Sequence, residues 1–458
     1  MKKEENKIME SIISLSKRRG FIYQGSEIYG GLAGTWDYGP LGVALKNNIK
    51  NSWWKKFVES REDMYGVDAA ILMHPDVWKA SGHVDTFTDP LVECTKCKRR
   101  FREDALKEPG ICDECGSAVG TPKAFNMMFK TQIGAVEDTS ATIYLRPETA
   151  QGMFVNFKNV VDSFHPKLPF GLAQIGKAFR NEITPRDFIF RVREFEQMEI
   201  EYFLKGDNWE NYFEYWRTEM IEWMEEIGLD MSKVHELEVP KDSLAHYSKR
   251  TIDFEFDFPF GRKELYGLAY RTDFDLSRHK LTYQDEPARN TDGIAMAGKP
   301  TSNTDGIAMA GKETNEKIVP HVIEPSLGVD RTVLAILLGA YKEDLNGEEP
   351  RPYLAFKPAI APVVCAVSPL LKNKPELKDY ARLVYRNLKD EFGRVMWDDN
   401  GNIGKRYRRQ DEIGTPWCIV IDFETLENNT VTIRDRNTAF QERIKKEDIV
   451  NYIKEKLN

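Results

Sequence analysis

The chain has 458 residues and a mass of 52.9 kDa, more than one compact domain usually contains. Apolar residues make up 41% and charged residues 30% of it, which excludes a fully disordered or collagen-like chain. The 65 lysine and arginine residues stand against 73 aspartate and glutamate residues, so a net charge of −8 excludes a polybasic nucleic-acid binder overall. Residues 357–458 carry a slight basic excess, which permits an anionic partner at that end.

The sequence contains no segment typical of a membrane span or a signal peptide. The longest uncharged apolar run, Pro358–Leu371, is too short and too rich in proline to cross a bilayer. The first ten residues mix both charges and have no apolar stretch. Four of the six cysteines form two CxxC pairs, a pattern of metal ligands in a reducing compartment. We therefore expect a cytoplasmic protein without a membrane segment.

The first predicted elements are two helices around a glycine-rich turn. Apolar residues recur at helical spacing over Lys7–Arg18, the segment GGLAGTWDYGPLG interrupts the pattern, and Val43–Val58 resumes it. The next feature is a polar, cysteine-bearing insertion within residues 90–120. Its two pairs, Cys94/Cys97 and Cys112/Cys115, have the spacing of a structural zinc ribbon, and four reduced cysteines without metal are the alternative. The basic run Lys98–Arg102 suits a nucleic acid, a carboxylate or plain solvation.

A β-hairpin is predicted over Phe170–Phe203, with a turn at Pro185–Asp187. Period-two alternation places Arg180 and Glu182 on one face of the first strand. On the returning strand the same alternation separates a polar set from an apolar set; the polar set is Phe195, Gln197, Glu199 and Glu201, and the apolar set is Met198, Ile200 and Tyr202. Buried charges are costly without a partner. The charged face therefore suits an anionic, aromatic ligand such as ATP, and an exposed amphipathic hairpin is the alternative.

Three further segments follow the hairpin. Residues Asn211–Glu226 have helical spacing, and their aromatic stripe is typical of a buried helix face. The decapeptide NTDGIAMAGK occurs twice within residues 285–317, which predicts an exposed loop that is a disordered segment, a flap or a sequence irregularity. In VIEPSLGVDRTVL, a strand is expected to end at Val322–Pro325, with a turn at Gly328 and Arg331 in the first turn of a helix. An arginine there opposes the helix dipole unless it binds an anion.

The last unit alternates apolar strands with helices. A linker is predicted at Asn346–Pro352, and beyond it strands and helices alternate as in an α/β domain. The predicted strands are Ala359–Val367, Trp417–Asp422 and Thr430–Arg434, and the predicted helices are Pro375–Glu391 and Lys446–Lys456. The basic stretch Lys405–Arg409 is either a nucleic-acid contact or a solvated loop.

These motifs together resemble the class II aminoacyl-tRNA synthetases, and specifically the single-chain, dimeric glycyl type. GTWDYGPLG resembles motif 1 with Pro40 at the dimer interface, FRNE through FEQMEIEYF resembles motif 2, and EPSLGVDR resembles motif 3. RPETAQG, ELYG and RTDFDLSRH match the subfamily, GKRYRRQDEIGTPWCIVID is similar to its anticodon-binding domain, and the repeated decapeptide departs from the pattern. The resemblance implies an α+β catalytic domain over residues 1–350, with an antiparallel sheet flanked by helices, and an α/β anticodon-binding domain over residues 351–458.

The resemblance also implies a function and a set of site residues. The expected reaction activates glycine with ATP and Mg²⁺ and transfers it to tRNA(Gly), in a homodimer that contacts both the acceptor end and the anticodon. Expected catalytic residues are Arg180 and Arg331 on phosphates and Glu264 on Mg²⁺. The expected ATP site comprises Arg180, Asn181, Glu182, Phe190, Arg191, Val192, Arg193, Glu194, Phe195, Glu264, Leu265, Gly328, Val329, Asp330 and Arg331. The expected glycine site comprises Arg102 (with Arg99 and Arg100 as competitors), Glu148, Phe195, Glu196, Gln197, Met198, Glu199, Glu324, Pro325, Ser326, Leu327 and Gly328.

Two alternatives remain at this point. One is a class II synthetase for another small amino acid, and the other is a catalytically inactive relative that serves as a nucleic-acid-binding accessory subunit. Retention of the charged residues Arg180, Glu182, Glu264 and Arg331 argues against an inactive copy, because buried charges without a ligand only destabilise a fold.

Overall fold

The computed structural model describes residues 2–135, 141–284, 317–346 and 349–457. Its helices are α1 Lys2–Arg19, α2 Pro40–Trp54 (continued by a π-helical turn, Lys55–Glu59), α3 Pro75–Ala80, α4 His83–Thr86, α5 Ala150–Phe164, α6 Trp209–Glu226, α7 Phe274–Arg278, α8 Val329–Ala340, α9 Pro375–Phe392, α10 Ile403–Glu412, α11 Phe423–Asn428 and α12 Ile449–Leu457. Its strands are β1 Ile22–Gln24, β2 Trp36–Tyr38, β3 Met64–Gly66, β4 Thr88–Glu93, β5 Arg100–Arg102, β6 Lys123–Asn126, β7 Lys130–Gln132, β8 Thr142–Tyr144, β9 Phe170–Phe179, β10 Glu194–Leu204, β11 Val234–Glu238, β12 Arg250–Phe258, β13 Gly261–Thr272, β14 His321–Gly328, β15 Tyr341–Asn346, β16 Glu349–Leu354, β17 Cys365–Pro369, β18 Val395–Trp397, β19 Trp417–Ile421, β20 Thr430–Asp435 and β21 Gln441–Lys445.

The first part of the chain is built on a seven-stranded sheet in the order β11-β12-β13-β14-β10-β9-β3. Its neighbours are antiparallel except for β3, which runs parallel to β9. One face packs against α2, α6 and α8 in a large apolar core, to which Trp53, Trp216 and Leu334 contribute fully buried side chains. The prediction of an α+β fold with a helix-flanked antiparallel sheet is confirmed, as is the buried aromatic stripe of the helix now labelled α6.

Among the described residues, a helix covers one end of the other face of this sheet. There α5 packs Phe154 and Phe157 against Phe170 of β9 and Phe203 of β10. Farther along the same strands the side chains on this face become polar and charged. We call this part, between α5 and the 180–193 loop, the polar face.

The predicted hairpin is confirmed, with two corrections. β9 and β10 pair from Phe170↔Phe203 to Phe179↔Glu194. Arg180 and Glu182 do not lie on the strand, because β9 ends at Phe179; beyond it, the Arg180 backbone donates to the carbonyl of Arg193 and accepts from the N–H of Glu182. Gly328 is not in a turn either, since it is the last residue of β14 and passes directly into α8 with an ordinary negative φ of −82°.

The cysteine-bearing insertion forms a small sheet in the order β5-β4-β6. The four thiols at its tip lie within 4.8 Å of one another, with 3.5 Å between the sulfurs of Cys94 and Cys115 and 3.6 Å between those of Cys97 and Cys112. The predicted clustering of the two CxxC pairs is therefore confirmed.

The predicted linker at Asn346–Pro352 is wrong, since this stretch lies largely within the β-hairpin of β15 and β16. Arg351 explains why the segment is ordered. Its buried guanidinium pairs with Asp344 on the opposite strand and donates 3.2 Å to Asp411 of α10 and 2.9 Å to the carbonyl of Arg436. The domain boundary at 350/351 stays a prediction.

The C-terminal part is an α/β unit on a mixed sheet in the order β18-β17-β19-β20-β21. Its first three strands are parallel and the last two antiparallel. The predicted α/β architecture is confirmed. The solvated-loop alternative for Lys405–Arg409 is wrong, because these residues lie in α10, where Arg406 is buried and donates to backbone carbonyls of Gly401 and Pro369.

Two further predictions concern the repeat-bearing loop and membrane-spanning segments. The repeat-bearing loop at 285–317 lies outside the described residues, apart from its last position. Among the helices of the described ranges, none combines the length and the apolar character needed to cross a bilayer.

Candidate functional site

The polar face consists of side chains aligned across four strands. Glu199 of β10 lies opposite Gln174 of β9 and Ser326 of β14, and Ser326 lies opposite Gly267 of β13. Because paired residues of a sheet project to the same side, these positions share one surface. The next pairs toward α5 bring Glu201 and Glu324 to the same surface, since Tyr202 pairs with Ile323.

Buried carboxylates form one end of the polar face; we call Glu148, Glu199, Glu201 and Glu324 the acidic floor. Glu199 is 2% exposed and accepts hydrogen bonds from Ser326 Oγ at 2.8 Å, from Gln197 Nε2 at 3.3 Å and from the Thr149 hydroxyl. Glu324 accepts from Arg271 Nη1 at 2.7 Å. Glu201 is 0% exposed, and neither of its oxygens has a hydrogen-bond partner within the described residues.

Arg271 is the guanidinium that contacts this group. It is buried, donates to both oxygens of Asp275 at 2.7 and 3.0 Å, and lies 3.9 Å from the centre of the Tyr247 ring. With Asp275 included, five carboxyl groups surround this arginine. The floor therefore carries uncompensated negative charge when every acid is ionised.

The pKa values of the floor follow from this imbalance. Burial, followed by the charge of Glu148, raises the pKa of Glu199. Burial, opposed by Arg271 but reinforced by Glu199, raises the pKa of Glu324 to about 8. Burial, and then the charge of Glu324, raise the pKa of Glu201 well above its usual range.

Glu148 differs from the other three. Burial alone would raise its pKa, but the combined effect of His83, Arg271 and the Gln151 amide lowers it. His83 Nε2 lies 3.3 Å from the carboxylate, and Gln151 Nε2 donates to it at 3.2 Å. Glu148 is therefore the carboxylate of the floor most firmly held in its ionised form.

Arginines surround the opposite end of the polar face; we call Arg102, Arg180, Arg191 and Arg331 the arginine rim. Arg191 lies 3.5 Å from Glu182, and burial lowers its pKa, an effect that Glu182 opposes and that Arg102, Arg186 and Arg331 reinforce. Arg180 donates to the carbonyl of Pro147 at 3.1 Å and lies 5.1 Å from the centre of the Phe195 ring. Arg331 lies 3.4 Å from the carboxylate of Glu264 and 4.5 Å from the centre of the Phe190 ring.

The structure separates the three arginines that compete for one predicted role. Arg99 and Arg100 are exposed and pair with Glu114 and Glu93 at 2.5 and 3.1 Å. Arg102 instead turns toward the rim, where Nη1 lies 2.9 Å from Asp89. This geometry favours Arg102 over its two neighbours.

Space for a ligand lies between the two ends. A β-carbon added to Gly267, beside Ser326, would meet no atom of the described residues within 4 Å. The space above Gly267 is therefore open to a ligand among these residues, and the acidic floor and the arginine rim carry opposite charges on its two sides; we call this space the hollow. Such an arrangement suits a ligand that is cationic at one end and carries phosphates at the other.

Several predicted site residues turn their side chains away from this hollow. Because strand residues alternate between faces, Glu194, Glu196, Met198, Pro325 and Leu327 project from the opposite side of the sheet. Met198, Leu327 and Val329 belong to the apolar core, and Leu265 and Val192 are buried. Glu196 pairs with Lys46 at 2.8 Å and Lys50 at 2.9 Å, and Asp330 accepts from Glu196 N at 2.8 Å and Tyr38 Oη at 2.5 Å.

The 180–193 loop contains residues that face the hollow and residues that face away from it. Arg193 donates to the carbonyls of Ala33 and Glu182 at 2.8 and 3.0 Å, so it fixes the loop rather than facing the hollow. Phe190 packs against Phe258 and Phe260 with ring centres 5.0 Å apart in each case. Asn181 donates its backbone N–H to Met127. Glu182 stays buried; its Oε2 lies 3.5 Å from Arg191 Nη1 and has no hydrogen-bond partner within the described residues, which is compatible with a ligand donor.

Two metal predictions can be compared with the donors present. The four convergent thiols are the donor set of a closed tetrahedral zinc site, so they fit structural Zn²⁺. The carboxylates near Glu264 do not converge in this way within the described residues. They do concentrate negative charge, since burial followed by Glu264 and Glu255 raises the pKa of Asp253 to about 6. This fits Mg²⁺, which is usually held by one or two carboxylates together with substrate phosphates.

The sequence-based site omits residues that the fold brings to it. His83, Gln151, Arg271 and Asp275 connect or balance the carboxylates but come from α4, α5, β13 and α7. Period-two alternation did place Glu201 on the charged face, yet no role followed from it. Signals in the sequence were therefore present: alternation for Glu201, the motif RPETAQG for Gln151 and the motif RTDFDLSRH for Arg271 and Asp275. His83 lies in none of these motifs, and its contact with a distant segment leaves no local pattern.

Comparisons with known proteins agree with this architecture. Residues 129–339 match the family model described as tRNA synthetase class II core domain (G, H, P, S and T), and residues 364–456 match that of an anticodon binding domain. The chain is 46% identical over 461 residues to a glycine--tRNA ligase of Treponema denticola, with 98% of both chains covered. It is 47% identical over 477 residues to that of Caldanaerobacter subterraneus subsp. tengcongensis, with 98% of both covered, and 48% identical over 486 residues to that of Alkaliphilus oremlandii, with 98% and 99% covered.

Proposed function

Because the chain belongs to the glycine–tRNA ligase family, a branch of the class II synthetases, we propose that it activates glycine with ATP and transfers the glycyl group to the 3′ end of tRNA(Gly). The observation that carries the proposal for this site is the hollow between the acidic floor and the arginine rim. Its polarity suits a reaction between an ammonium-bearing amino acid and a nucleoside triphosphate.

Glycine occupies the floor in this proposal. Its ammonium group lies among Glu148, Glu199 and Glu324, with Ser326 holding Glu199 in position at 2.8 Å. Its carboxylate points toward the rim and Arg102. Carboxylates select an ammonium group, while walls that leave no room for a side chain reject larger amino acids by steric overlap. The other predicted glycine-site residues, which include Phe195, Gln197 and Gly328, shape the walls through their side chains or backbone.

ATP occupies the rim. Arg180 binds the α-phosphate, Arg191 and Arg331 bind the terminal phosphates, Glu182 accepts from the adenine amino group, and Phe195 stacks on the ring. These roles are supported by the Glu182 oxygen that has no hydrogen bond within the described residues and by the arginines around Asp89. Mg²⁺ bound with Glu264 supplies further charge stabilisation for the phosphates. The remaining predicted ATP-site residues act through the backbone or by packing.

The chemistry is acyl-adenylate formation followed by acyl transfer. The glycine carboxylate attacks the α-phosphorus, the bond to the bridging oxygen breaks, and pyrophosphate leaves with its charge stabilised by Arg191 and Arg331. The 3′-terminal ribose hydroxyl of the tRNA then attacks the glycyl carbonyl, and AMP leaves. Positioning and electrostatics account for this chemistry without a dedicated general base.

The C-terminal unit contacts the anticodon in this proposal. Its support is the anticodon-binding family match over residues 364–456 and the exposed side chains of Lys405 and Arg408 on α10. The proposal keeps the catalytic domain at residues 1–350 and the anticodon-binding domain at residues 351–458.

A homodimer is part of the same proposal. Ile28 and Tyr29 are 88% and 87% exposed, and Leu32 and Val43 are also exposed, close in sequence to Pro40. Exposed apolar patches of this kind are typical of interfaces. The backbone of Gly34 and Ala33 in this segment accepts hydrogen bonds from Arg193, so a second copy seated there would brace the loop that carries the rim.

Zn²⁺ at the four cysteines and a cytoplasmic location complete the proposal. The thiols fit a structural ion that orders the insertion bearing Arg102. All six cysteines are free of disulfides, which supports a reducing compartment.

The test is glycine-dependent exchange of pyrophosphate into ATP, with alanine and serine as competing substrates. We expect exchange with glycine, and we expect Arg180→Ala to reduce it by at least about a hundredfold, a loss of about 2.7 kcal/mol of transition-state stabilisation. Retention of tRNA on filters should change little. Arg217→Ala is the matched control, because Arg217 pairs with Glu236 and Glu214 on the surface.

Each alternative predicts a different outcome. Exchange with alanine or serine in place of glycine would reassign the amino acid. Absence of exchange with every amino acid, combined with tRNA binding, would support the accessory-subunit alternative. Full exchange by the Arg180→Ala variant would refute the phosphate role of that residue.

A further inference from the structure

Glu201 is a buried acid to which the proposed function assigns no role. Its side chain is 0% exposed, and both carboxyl oxygens lack a hydrogen-bond partner within the described residues. Buried carboxyl groups without partners are costly, so one that persists beside a binding hollow indicates a missing donor.

The surroundings of Glu201 are strongly negative. On its own strand it follows Glu199, and on the adjacent strand it lies beside Glu324. Groups from the neighbouring elements contribute to this environment: Leu172 and Gln174 on β9, Arg271 on β13, Glu324 and Ser326 on β14, Asp275 on α7, Gln151 on α5, and Glu148 just before α5. Arg271 is already bound to Asp275 and Glu324 at 2.7 Å. It therefore does not neutralise Glu201 by direct contact.

We propose that Glu201 is a further residue of the ammonium site, which together with Glu324 holds one proton while the site is empty and loses it when glycine binds. When the glycine ammonium group binds to the protonated Glu201–Glu324 pair, the pair loses its proton to the solvent and both carboxyl groups are then ionised. No bond to carbon changes, and glycine keeps its own ammonium protons.

In this proposal a proton neutralises the pair in the empty site, and the glycine ammonium group replaces that proton in the occupied site. This explains why the Glu201 oxygens have no hydrogen-bond partner within the described residues. Two adjacent carboxyl groups in a buried site cannot both ionise without a cation, and they titrate as a pair. The ammonium group of glycine supplies that cation. The raised pKa of Glu324, about 8, agrees with a proton retained at neutral pH.

The sign of the pH dependence follows directly. Below pH about 8 the empty pair is protonated, so binding must release a proton and is favoured by rising pH. Glycine affinity should therefore improve by about tenfold for each pH unit over this range and level off above it. The affinity for ATP should not follow this trend, because ATP does not contact the floor.

The experiment measures the KM values for glycine and ATP by pyrophosphate exchange between about pH 6 and pH 8. Proton release is measured in parallel by calorimetric titration of glycine in buffers of different ionisation enthalpy. In the wild-type protein we expect about one proton released per glycine bound. In Glu201→Gln we expect the release to fall below about half a proton, the pH slope to flatten, and the glycine KM at the upper pH limit to rise about tenfold.

Glu238→Gln is the matched control, because Glu238 is an exposed acid on β11 that pairs with Arg250. Wild-type pH dependence and proton release in the Glu201→Gln variant would overturn the proposal, and so would a wild-type protein that releases no proton. The wild-type measurement does not depend on the folding of any variant.

This role of Glu201 rests on the proposed function, and the two can fail separately. Absence of glycine-dependent exchange in the wild-type protein would contradict the proposed function itself. Normal exchange with a glycine KM that does not change with pH would contradict only the role of Glu201.

Discussion

The vacant space beside Gly267 gives a prediction that separates folding from function. A β-carbon at this position would meet no atom within 4 Å in the part of the chain that the structure describes, and Gly267 does not have a positive φ. Gly267→Ala should therefore leave the free energy of unfolding unchanged or raise it by about 0.5–1 kcal/mol, since alanine loses less backbone entropy than glycine. The added methyl group nevertheless enters the hollow next to Ser326.

The cost to binding can be worked out from the size of glycine. The best very small ligands gain about 1.5 kcal/mol per non-hydrogen atom, so loss of the contacts of a single atom weakens binding about tenfold. Steric overlap with the methyl group adds to that loss. We expect the glycine KM of Gly267→Ala to rise at least about tenfold, with the ATP KM nearly unchanged.

The assay combines pyrophosphate exchange with thermal unfolding. Gly339→Ala is the control, because Gly339 lies on α8, away from the polar face, and its added β-carbon would meet Asp230 at an ordinary 3.5 Å. A wild-type glycine KM in Gly267→Ala would refute the placement of glycine in this hollow. A marked loss of stability would refute the inference that the space is free.

Two further predictions concern the insertion and the proposed dimer. Cys112→Ser should reduce bound zinc from about one ion per chain to almost none and expose the insertion to proteolysis, since four thiolates complete a structural site. Metal analysis and limited trypsin digestion check this prediction. A wild-type protein without zinc would contradict it. Ile28→Asp combined with Tyr29→Asp should convert the dimer to monomers in sedimentation experiments, because burying two carboxylates in an apolar interface is strongly unfavourable. Phe440→Asp, at an exposed position of the C-terminal unit, is its control, and a double variant that stays dimeric would exclude this surface.

The hairpin around β9 and β10 could be predicted from sequence because its information is local. Alternation over β10 separates Met198 and Ile200, which pack in the core, from Glu199 and Glu201, which face the hollow. The same rule explains which site predictions turn out to face elsewhere. Glu196 and Leu327 lie within the motifs FEQMEIEYF and EPSLGVDR, but the pleat directs their side chains to the opposite face.

Other parts depend on contacts between distant segments. Asp275 follows Arg271 by only four positions, but the contact of Arg271 with Glu324 joins residues 53 positions apart. His83 reaches Glu148 from outside the central sheet. The polar composition of NGEEPRP favoured a linker, whereas the buried pairs of Arg351 with Asp344 and Asp411 hold most of that stretch in a hairpin. No local pattern in the sequence carries this information.

The sheet has opposite requirements on its two faces, and this explains how so many carboxyl groups can be buried together. On one side, Met198, Ile200 and Tyr202 of β10 join a core that includes Trp53, Trp216 and Leu334. On the other side, burial raises the pKa values of Glu199, Glu201 and Glu324, so ionising these groups opposes folding. The free energy gained by burying the apolar face therefore offsets the cost of burying these carboxyl groups, which the fold itself does not need. A bound ammonium group relieves that cost. Selective recognition of a small cationic substrate requires such an arrangement.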